Sequence, residues 1–394
     1  MGEVDLEGFL AAHHDELVAF RRHLHAHPEL SGHEVETTEL IAERLRAAGL
    51  APQLLPGGTG LVCDLGTPDV GAARVALRAD IDALAMEDTK AVSYRSRVPG
   101  RAHGCGHDVH TTMVLGAGLA LAATPFAPCV RLIFEPSEET VPGGSLEVIE
   151  AGGLDGVDAI YGFHCDPKLT VGRFGLRVGP LTAATDAVHL TLRGPGGHTA
   201  RPHLTVDLVA VAGRLAAELP GVVREVVGDR GDVLVVFGAI HAGDAPNVIP
   251  TVAHLSGSVR IPDRTLWDEA ETIISSAIDR LVGDTGVEVE LDYVRGIPPV
   301  HNDAAELAVM ERAVRSVAGD EAVTEAPQSY GGDTFAWYQE HVPGAYVRIG
   351  VRGPDDVGPP LDLHSGAFDV HESVIGLGVR VLVAAVVDRL DRPR

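Results

Sequence analysis

The stretch RVALRADID, residues 74–82, is an apolar run that ends in two aspartates. The same pattern recurs in CVRLIFEP at 129–136 and in AIYGFHCDP at 159–167, where each apolar run passes into a polar tail. Near-continuous apolar runs are typical of parallel strands buried on both faces, and helical patterns between them supply the crossovers. We therefore predict an α/β domain with a mostly parallel sheet, whose polar tails gather at the carboxyl ends of the strands.

A different order of elements follows between Asp186 and Gly296. The apolar patterns there predict strand, helix, strand, strand, helix, strand, which is the βαββαβ order of a ferredoxin-like α+β unit. A chain of 394 residues exceeds what one hydrophobic core usually organises, so an inserted second domain is expected. We predict a discontinuous catalytic α/β domain at 1–185 and 297–394, interrupted by a lid or dimerisation domain at 186–296.

Charge and composition limit the partners that the protein can have. The formal net charge is -25, from 56 acidic and 31 basic side chains, and such a surface repels nucleic acid and anionic lipid. No run of eighteen apolar residues occurs, and the acidic, amphipathic N-terminus lacks the pattern of a signal peptide. We expect a cytoplasmic protein with a small-molecule substrate and with neither a nucleic-acid nor a membrane partner.

Titratable side chains are concentrated in five short segments, most of which follow an apolar strand. These segments are RADID at 78–82, HGCGHDVH at 103–110, EPSEET at 135–140, GFHCDP at 162–167 and LHSGAFDVHE at 363–372. Thiolate, imidazole and carboxylate donors together suit Zn, Mn or Co, and a dinuclear site needs about five to seven of them. The five segments supply that number, so the sequence predicts a shared metal site.

The adjacent carboxylates Glu138 and Glu139 indicate hydrolysis, because one can bind metal while its neighbour takes a proton from water. Two alternatives stay open. Cys105 activated by His107 or His110 would give a thiol hydrolase. The second alternative is a non-catalytic protein with the same fold that binds amino-acid derivatives, although binding alone does not require Glu138.

An ordered set of motifs along nearly the whole chain resembles one known family. The motifs are RRHLHAHPELSGHE at 21–34, LRADIDALA at 77–85, HGCGHDVHTT at 103–112, EPSEE at 135–139, GFHCDP at 162–167, GPGGHTARPH at 194–203, NVIP at 247–250 and LHSGAFD at 363–369. They resemble the amidohydrolase branch of the dinuclear-metal aminoacylase and carboxypeptidase family. Hippurate hydrolase and the hydrolases of indole-acetyl amino acids belong to that branch.

The resemblance implies two divalent ions per subunit, Mn, Zn or Co, and five protein ligands for them. The implied ligands are Cys105, His107, Glu139, His164 and His364. Arg78 stands where the wider family has a metal-binding histidine, and arginine cannot ligate a cation, so Cys105 and His107 take over that duty. Asp80 then becomes a group that orients a ligand.

The implied reaction is cleavage of the amide bond of N-acyl amino acids by a metal-bridging hydroxide, with Glu138 as the general base. By the same resemblance, His198 donates to the developing oxyanion, and Asn247 and Arg260 hold the carboxylate of the substrate. In many relatives the oxyanion donor comes from the partner subunit, so a homodimer or a larger homo-oligomer is expected.

Several local expectations can be compared with a structure. Ser31 and Glu34 have the spacing of a capping box, and Gly104 and Gly106 are expected to let the backbone turn tightly around Cys105. Glu135 stands where relatives usually have Gln, and Gly331-Gly332-Asp333-Thr334-Phe335 replaces the usual Ser-Glu-Asp-Phe. Gly366, where relatives have Pro, predicts a looser loop beside His364.

Overall fold

The computed structural model describes residues 5–66, 73–124 and 128–392, and these divide into two compact units. The first unit comprises Met1–Gly179, His301–Pro327 and Thr334–Arg394, and the second comprises Pro180–Val300 and Gln328–Asp333. The insertion expected at 186–296 lies inside the second unit. The short return of the chain at Gln328–Asp333 has no counterpart in the expectation from the sequence.

Helices and strands alternate along most of the described chain. The helices are α1 (Leu6–Ala26), α2 (Val35–Ala47), α3 (His107–Ala122), α4 (Ser145–Glu150), α5 (Leu208–Val227), α6 (Arg264–Val282), α7 (Ala304–Ala318), α8 (Phe335–Gln339) and α9 (Ser373–Leu390). The strands are β1 (Gln53–Leu54), β2 (Leu61–Leu65), β3 (Val75–Asp80), β4 (Val130–Glu135), β5 (Ala159–Thr170), β6 (Phe174–Leu176), β7 (Gly179–Pro180), β8 (Ala184–Arg193), β9 (Gly197–His198), β10 (Leu234–Ala242), β11 (Val248–Ile249), β12 (Val252–Ile261), β13 (Glu288–Ile297), β14 (His301–Asn302), β15 (Val323–Glu325) and β16 (Gly344–Arg352). None of the helices in the described part is long and apolar enough to cross a membrane.

The first unit is built around a sheet in the order β1-β2-β4-β3-β5-β16-β6-β15. Its centre is parallel, because β3 pairs in parallel with β4 and β5, and β5 pairs in parallel with β16. Every residue of β3 and β4 is buried, as expected for strands covered on both faces. Helix α3 packs on β3 and β4, and α7 and α9 pack on β16. The predicted α/β fold with a mostly parallel sheet is confirmed.

The second unit contains an antiparallel sheet in the order β10-β12-β8-β13. Helix α5 follows β8 and helix α6 follows β12, so the chain runs βαββαβ, the predicted ferredoxin-like order. Alternate residues of β8 are buried, and α5 packs against β8, β10 and β12. One face of the sheet is therefore covered by helices, which explains the period-two pattern in the sequence.

The expected capping box at the start of α2 is wrong. The cap position is Glu34, which makes no side-chain cap hydrogen bond. The Ser31 hydroxyl instead donates to Asp82 Oδ2 at 2.7 Å, and Glu34 Oε1 accepts from the backbone N–H of Ser137 at 2.7 Å. Both side chains bind loops that follow strands of the large sheet, and those tertiary hydrogen bonds replace the local ones.

Candidate metal centre

The polar tails of the central strands meet at one edge of the large sheet. Strands β3 and β4 end in register, with Asp80 opposite Glu135, and both therefore deliver their following loops to the same place. His164 lies on the neighbouring strand β5, and α3 begins at His107. This is the carboxyl edge of a parallel sheet, where sites form in such folds.

Gly106 turns the chain between Cys105 and α3. It caps α3 with φ 90°, a left-handed conformation that L side chains rarely adopt, and a Cβ there would lie 2.8 Å from Cys165 Sγ. Gly104 is not left-handed, but a Cβ there would lie 2.6 Å from Met86 Sδ. Of the two glycines, Gly106 therefore supplies the sharp turn and Gly104 the close approach.

The five implied ligands come together in the first unit as two groups of donors that share Glu139. Within each group the donor atoms lie within 4.8 Å of one another. The two groups are Cys105, Glu139 and His364, and His107, Glu138 and Glu139. Oε1 of Glu139 lies 3.4 Å from His364 Nε2 and 3.8 Å from His107 Nε2. His164 joins the first group, because its Nε2 lies 3.5 Å from Cys105 Sγ.

The chemistry of these donors fits divalent cations. His107 Nε2 and Glu139 Oε1 are buried polar atoms that make no hydrogen bond within the described residues. Buried donors and acceptors without partners are costly, so an arrangement that leaves two of them facing each other indicates a missing ligand. The set of one thiol, imidazoles and carboxylates suits Zn, Mn or Co, and the residues of the two groups would hold such ions.

Hydrogen bonds fix the imidazoles in the tautomer that ligation needs. His107 Nδ1 donates to Asp82 Oδ1 at 3.0 Å, and His164 Nδ1 donates to the carbonyl of Cys165 at 2.8 Å. Each ring therefore directs Nε2 toward the other donors, where a bound cation would take the place of an Nε2 proton. Burial is the main cause that lowers the pKa of His164 well below its ordinary value, which keeps that ring neutral.

Asp82 holds two of the implied ligands and was missed in the sequence. Its Oδ1 accepts from His107, and its Oδ2 accepts from the backbone N–H of Glu139 at 3.0 Å and from Ser31. Burial acts to raise the pKa of Asp82, but the hydrogen bond and the charge of His107 outweigh it and lower the pKa. The available signal was its position two residues after Asp80, which places both carboxylates near the same strand end.

Asp80 and His110 form with His107 a third group whose donor atoms lie within 4.8 Å of one another. His110 Nδ1 lies 2.7 Å from Asp80 Oδ1, and His110 Nε2 accepts the backbone N–H of Cys165 at 2.9 Å. Since both ring nitrogens of His110 are used, this histidine is not available as a ligand. Asp80 Oδ2 lies 3.9 Å from His107 Nε2, so the carboxylate that hydrogen-bonds to His107 is Asp82.

Arg78 is buried beneath the centre, where it contacts the hydroxyl of Tyr346 and three other side chains. Its Nη1 lies 2.6 Å from Asp80 Oδ2, its Nε 2.6 Å from Glu135 Oε2, and its Nη2 donates to Thr334 Oγ1 at 2.9 Å. The Thr334 hydroxyl donates to Glu135 Oε1 at 2.6 Å, and the Thr334 backbone N–H donates to Glu138 Oε1 at 3.3 Å. Glu135 therefore pairs with Arg78 and lies outside both groups of donors.

The loop that carries His364, which was predicted to be looser because of Gly366, makes close backbone contacts at that glycine. A Cβ at Gly366 would lie 2.3 Å from the carbonyl oxygen of Glu87, and the Gly366 carbonyl accepts from Thr89 N at 2.8 Å. His364 itself has φ 59°, and its backbone N–H donates to the Gly104 carbonyl at 2.8 Å. A non-glycine residue in the left-handed region is a strained conformation that often marks a functional site.

The remaining implied residues lie in the second unit. His198 is exposed on β9, which pairs with β11 directly after Asn247. Arg260 lies near the far end of β12, where its Nη1 donates to Thr185 Oγ1. Strand β12 begins at Val252, so eight residues of extended chain, about 26 Å, separate its first residue from Arg260. His198 and Asn247 are therefore neighbours, and Arg260 is not near them within the unit.

Comparison with known proteins gives consistent matches. The profile of "Peptidase family M20/M25/M40" matches residues 76–388. The chain is 45% identical over 368 residues to "Putative glutamate–cysteine ligase 2-3" of Rhodococcus jostii, covering 93% of this chain but 46% of that protein, so it spans about half the length of that relative. It is 35% identical over 371 residues to "N-acetylcysteine deacetylase" of Bacillus subtilis, covering 92% of this chain and 94% of the relative.

A solved structure resembles the whole fold. The crystal structure of a dinuclear metal binding peptidase from Bacillus subtilis, of the M20 family, matches with a TM-score of 0.84 and 31% identity. The match covers 97% of this chain and 99% of that chain. The similarity therefore extends across both units.

Proposed function

Since the chain belongs to the M20/M25/M40 peptidase family and so is a metal-dependent hydrolase of amide bonds, we propose that it cleaves N-acyl amino acids. This membership confirms the resemblance seen in the motifs. The observation that carries the proposal is the pair of donor groups sharing Glu139, one of which also contains Glu138. The deacetylase of N-acetylcysteine among the relatives supports an N-acyl amino acid as the substrate class.

In this proposal the five ligands hold two divalent ions, Mn, Zn or Co, which when bound activate water and polarise the amide carbonyl. Glu138 is the group that takes the proton. Its Oε2 lies 3.8 Å from His107 Nε2, and 10% of its side chain is exposed, so it borders the donors while staying accessible to water. The same carboxyl then delivers the proton to the departing amine.

Residues of the second unit are proposed to bind the substrate. Arg260 has the forked geometry that suits a carboxylate, and His198 is exposed and able to donate to an oxyanion. Because Arg260 lies near the end of β12 and His198 lies on β9, beside the segment that precedes β12, one compact site would use only one of these two residues from any one chain. This separation supports a homodimer in which His198 and Asn247 serve the site of the partner.

The thiol-hydrolase alternative is disfavoured by the surroundings of Cys105. Its residue is 6% exposed, and burial, reinforced by Glu138 and Glu139, raises the pKa of the thiol far above its ordinary value. A thiol that stays protonated is a poor nucleophile. A bound cation favours the thiolate, so the same environment fits a metal ligand.

The direct test is a hydrolysis panel of acetyl, benzoyl and indole-acetyl conjugates of several amino acids, with each metal added to stripped enzyme. We expect chelator to abolish hydrolysis and Mn, Zn or Co to restore it, whereas an alkylating reagent should act only on the metal-free protein. Hydrolysis that survives complete metal removal would refute the proposal.

A second measurement isolates Glu138. We expect Glu138→Gln to retain the full metal content and to lower kcat by about 100-fold or more, since general-base catalysis contributes that much. Asp166→Asn, at a carboxylate that accepts from the Lys168 backbone outside the donor groups, is the matched control and should leave kcat unchanged. An active Glu138→Gln enzyme would show that another group takes the proton.

A further inference from the structure

Arg78, Glu135 and Thr334 form a closed triangle of hydrogen bonds, here called the Arg78 triad. Arg78 contacts both other members, and Thr334 Oγ1 donates to Glu135 while accepting from Arg78. All three side chains are fully buried or nearly so. A closed and buried ring of this kind permits few alternative rotamers, because turning any member leaves a charge or a hydroxyl without its partner.

The triad is tied to the rest of the first unit on three sides. Arg78 also binds Asp80, and the carbonyl of Thr334 accepts from Trp337 at the start of α8. The methyl group of Thr334 packs against Gly143, where an added Cβ would lie 2.2 Å from Thr334 Cγ2. Position 334 is therefore fixed by its hydroxyl on one side and by its methyl on the other.

The triad reaches the proposed base through a backbone N–H group. The N–H of Thr334 donates to Glu138 Oε1, the proposed base and a member of the donor group with His107 and Glu139. Neither Glu135 nor Thr334 belongs to a donor group of the centre. The hydrogen bonds of the triad described above therefore reach the proposed base and none of the proposed ligands.

We propose that the Arg78 triad is a positioning device for the general base, which aims the Glu138 carboxylate through the backbone N–H of Thr334. The proposal rests on the proposed function. Its members act through Glu138 and touch neither substrate nor metal. A small displacement of the Glu138 carboxylate away from the water whose proton it takes is enough to slow proton transfer severely.

Two substitutions at position 334 separate the hydroxyl from the methyl group. Thr334→Val keeps the methyl beside Gly143 and removes the hydroxyl, whereas Thr334→Ser keeps the hydroxyl and removes the methyl. We expect Thr334→Val to lower kcat by about 10- to 100-fold with KM within twofold. Thr334→Ser should restore most of kcat, because the hydrogen bonds to Arg78 and Glu135 remain.

Readouts other than activity test the same point. The metal content and the absorption spectrum of the cobalt-loaded protein should be unchanged in Thr334→Val, because no ligand moves. Amide exchange of the peptide that contains residue 334 should become at least about tenfold faster, because the hydroxyl that holds its N–H against Glu138 is gone. Thr112→Val is the matched control, since the buried Thr112 hydroxyl donates to the Asp108 carbonyl at 2.7 Å and has no contact with the triad.

The outcomes are distinct. Wild-type kcat and wild-type exchange in Thr334→Val would overturn the proposal. A loss of kcat that Thr334→Ser does not restore, accompanied by loss of metal or of folding, would also overturn it, because it would show a structural role. If wild-type enzyme hydrolysed none of the conjugates, the proposed function would fail, while the exchange experiment would still decide whether the triad holds Glu138.

Discussion

Replacing Asp82 with asparagine should weaken the binding of both cations, because Asp82 holds a ligand from each donor group. Its two oxygens accept from His107 Nδ1 and from the Glu139 backbone, both at 3.0 Å. An asparagine side chain has only one oxygen, so its NH2 group must face one of these two N–H donors, and that hydrogen bond is lost. Losing a hydrogen bond to a charged group costs about 1.5–3 kcal/mol. That corresponds to a fall of roughly 10- to 100-fold in metal affinity, the range found for groups that orient ligands.

The assay is calorimetric titration of metal-stripped protein with Mn²⁺ and with Zn²⁺ at fixed pH. Ser31→Ala is the control, because it removes the third donor to Asp82 at 2.7 Å and leaves both ligand contacts in place. We expect it to change the affinity by less than roughly tenfold, because both contacts of Asp82 with the ligands remain. If Asp82→Asn bound both ions as tightly as wild type, the reasoning that Asp82 orients His107 and Glu139 would be refuted.

Two further predictions concern stability. Burial acts to lower the pKa of His25, but Asp108 at 2.8 Å and Asp88 at 3.3 Å raise it above the ordinary value. The stability that protonated His25 contributes is therefore complete below its pKa in the unfolded chain. That contribution is lost as the pH rises through its pKa in the folded protein. Urea unfolding should therefore show His25→Asn destabilised by about 2–4 kcal/mol near pH 6 and by less in alkali, and an equal loss at both would contradict this. Gly106→Ala should lower the melting temperature of the apoprotein, and adding Cys165→Ala should recover part of the loss, since the new Cβ would lie 2.8 Å from Cys165 Sγ. No recovery would assign the loss to the φ of 90° alone.

The central sheet could be predicted because its signal is local. The apolar runs at 74–82, 129–136 and 159–167 became β3, β4 and β5, and their polar tails meet at one edge as parallel strands require. The βαββαβ order of the second unit followed from period-two and helical patterns of similar clarity. The segment Gln328–Asp333 could not be predicted, because no periodicity marks a chain that returns briefly to another unit.

The roles within HGCGHDVH could not be read from spacing. His107 and His110 are equally rich in donor atoms, but His110 is used by Asp80, 30 residues away, and by the backbone of Cys165, 55 residues away. Asp82 was overlooked for the same reason, since its partners His107 and Glu139 are distant in sequence. Such assignments depend on tertiary contacts, which one sequence does not display.

The buried thiol of Cys105 has a consequence for how the protein loads its ions. Because burial raises the pKa of that thiol, the apoprotein carries a proton there at neutral pH, and ligation must release it to solvent. The apparent affinity for metal should therefore increase about tenfold per pH unit for each proton that ligation displaces. At lower pH the protein should therefore bind its ions more weakly.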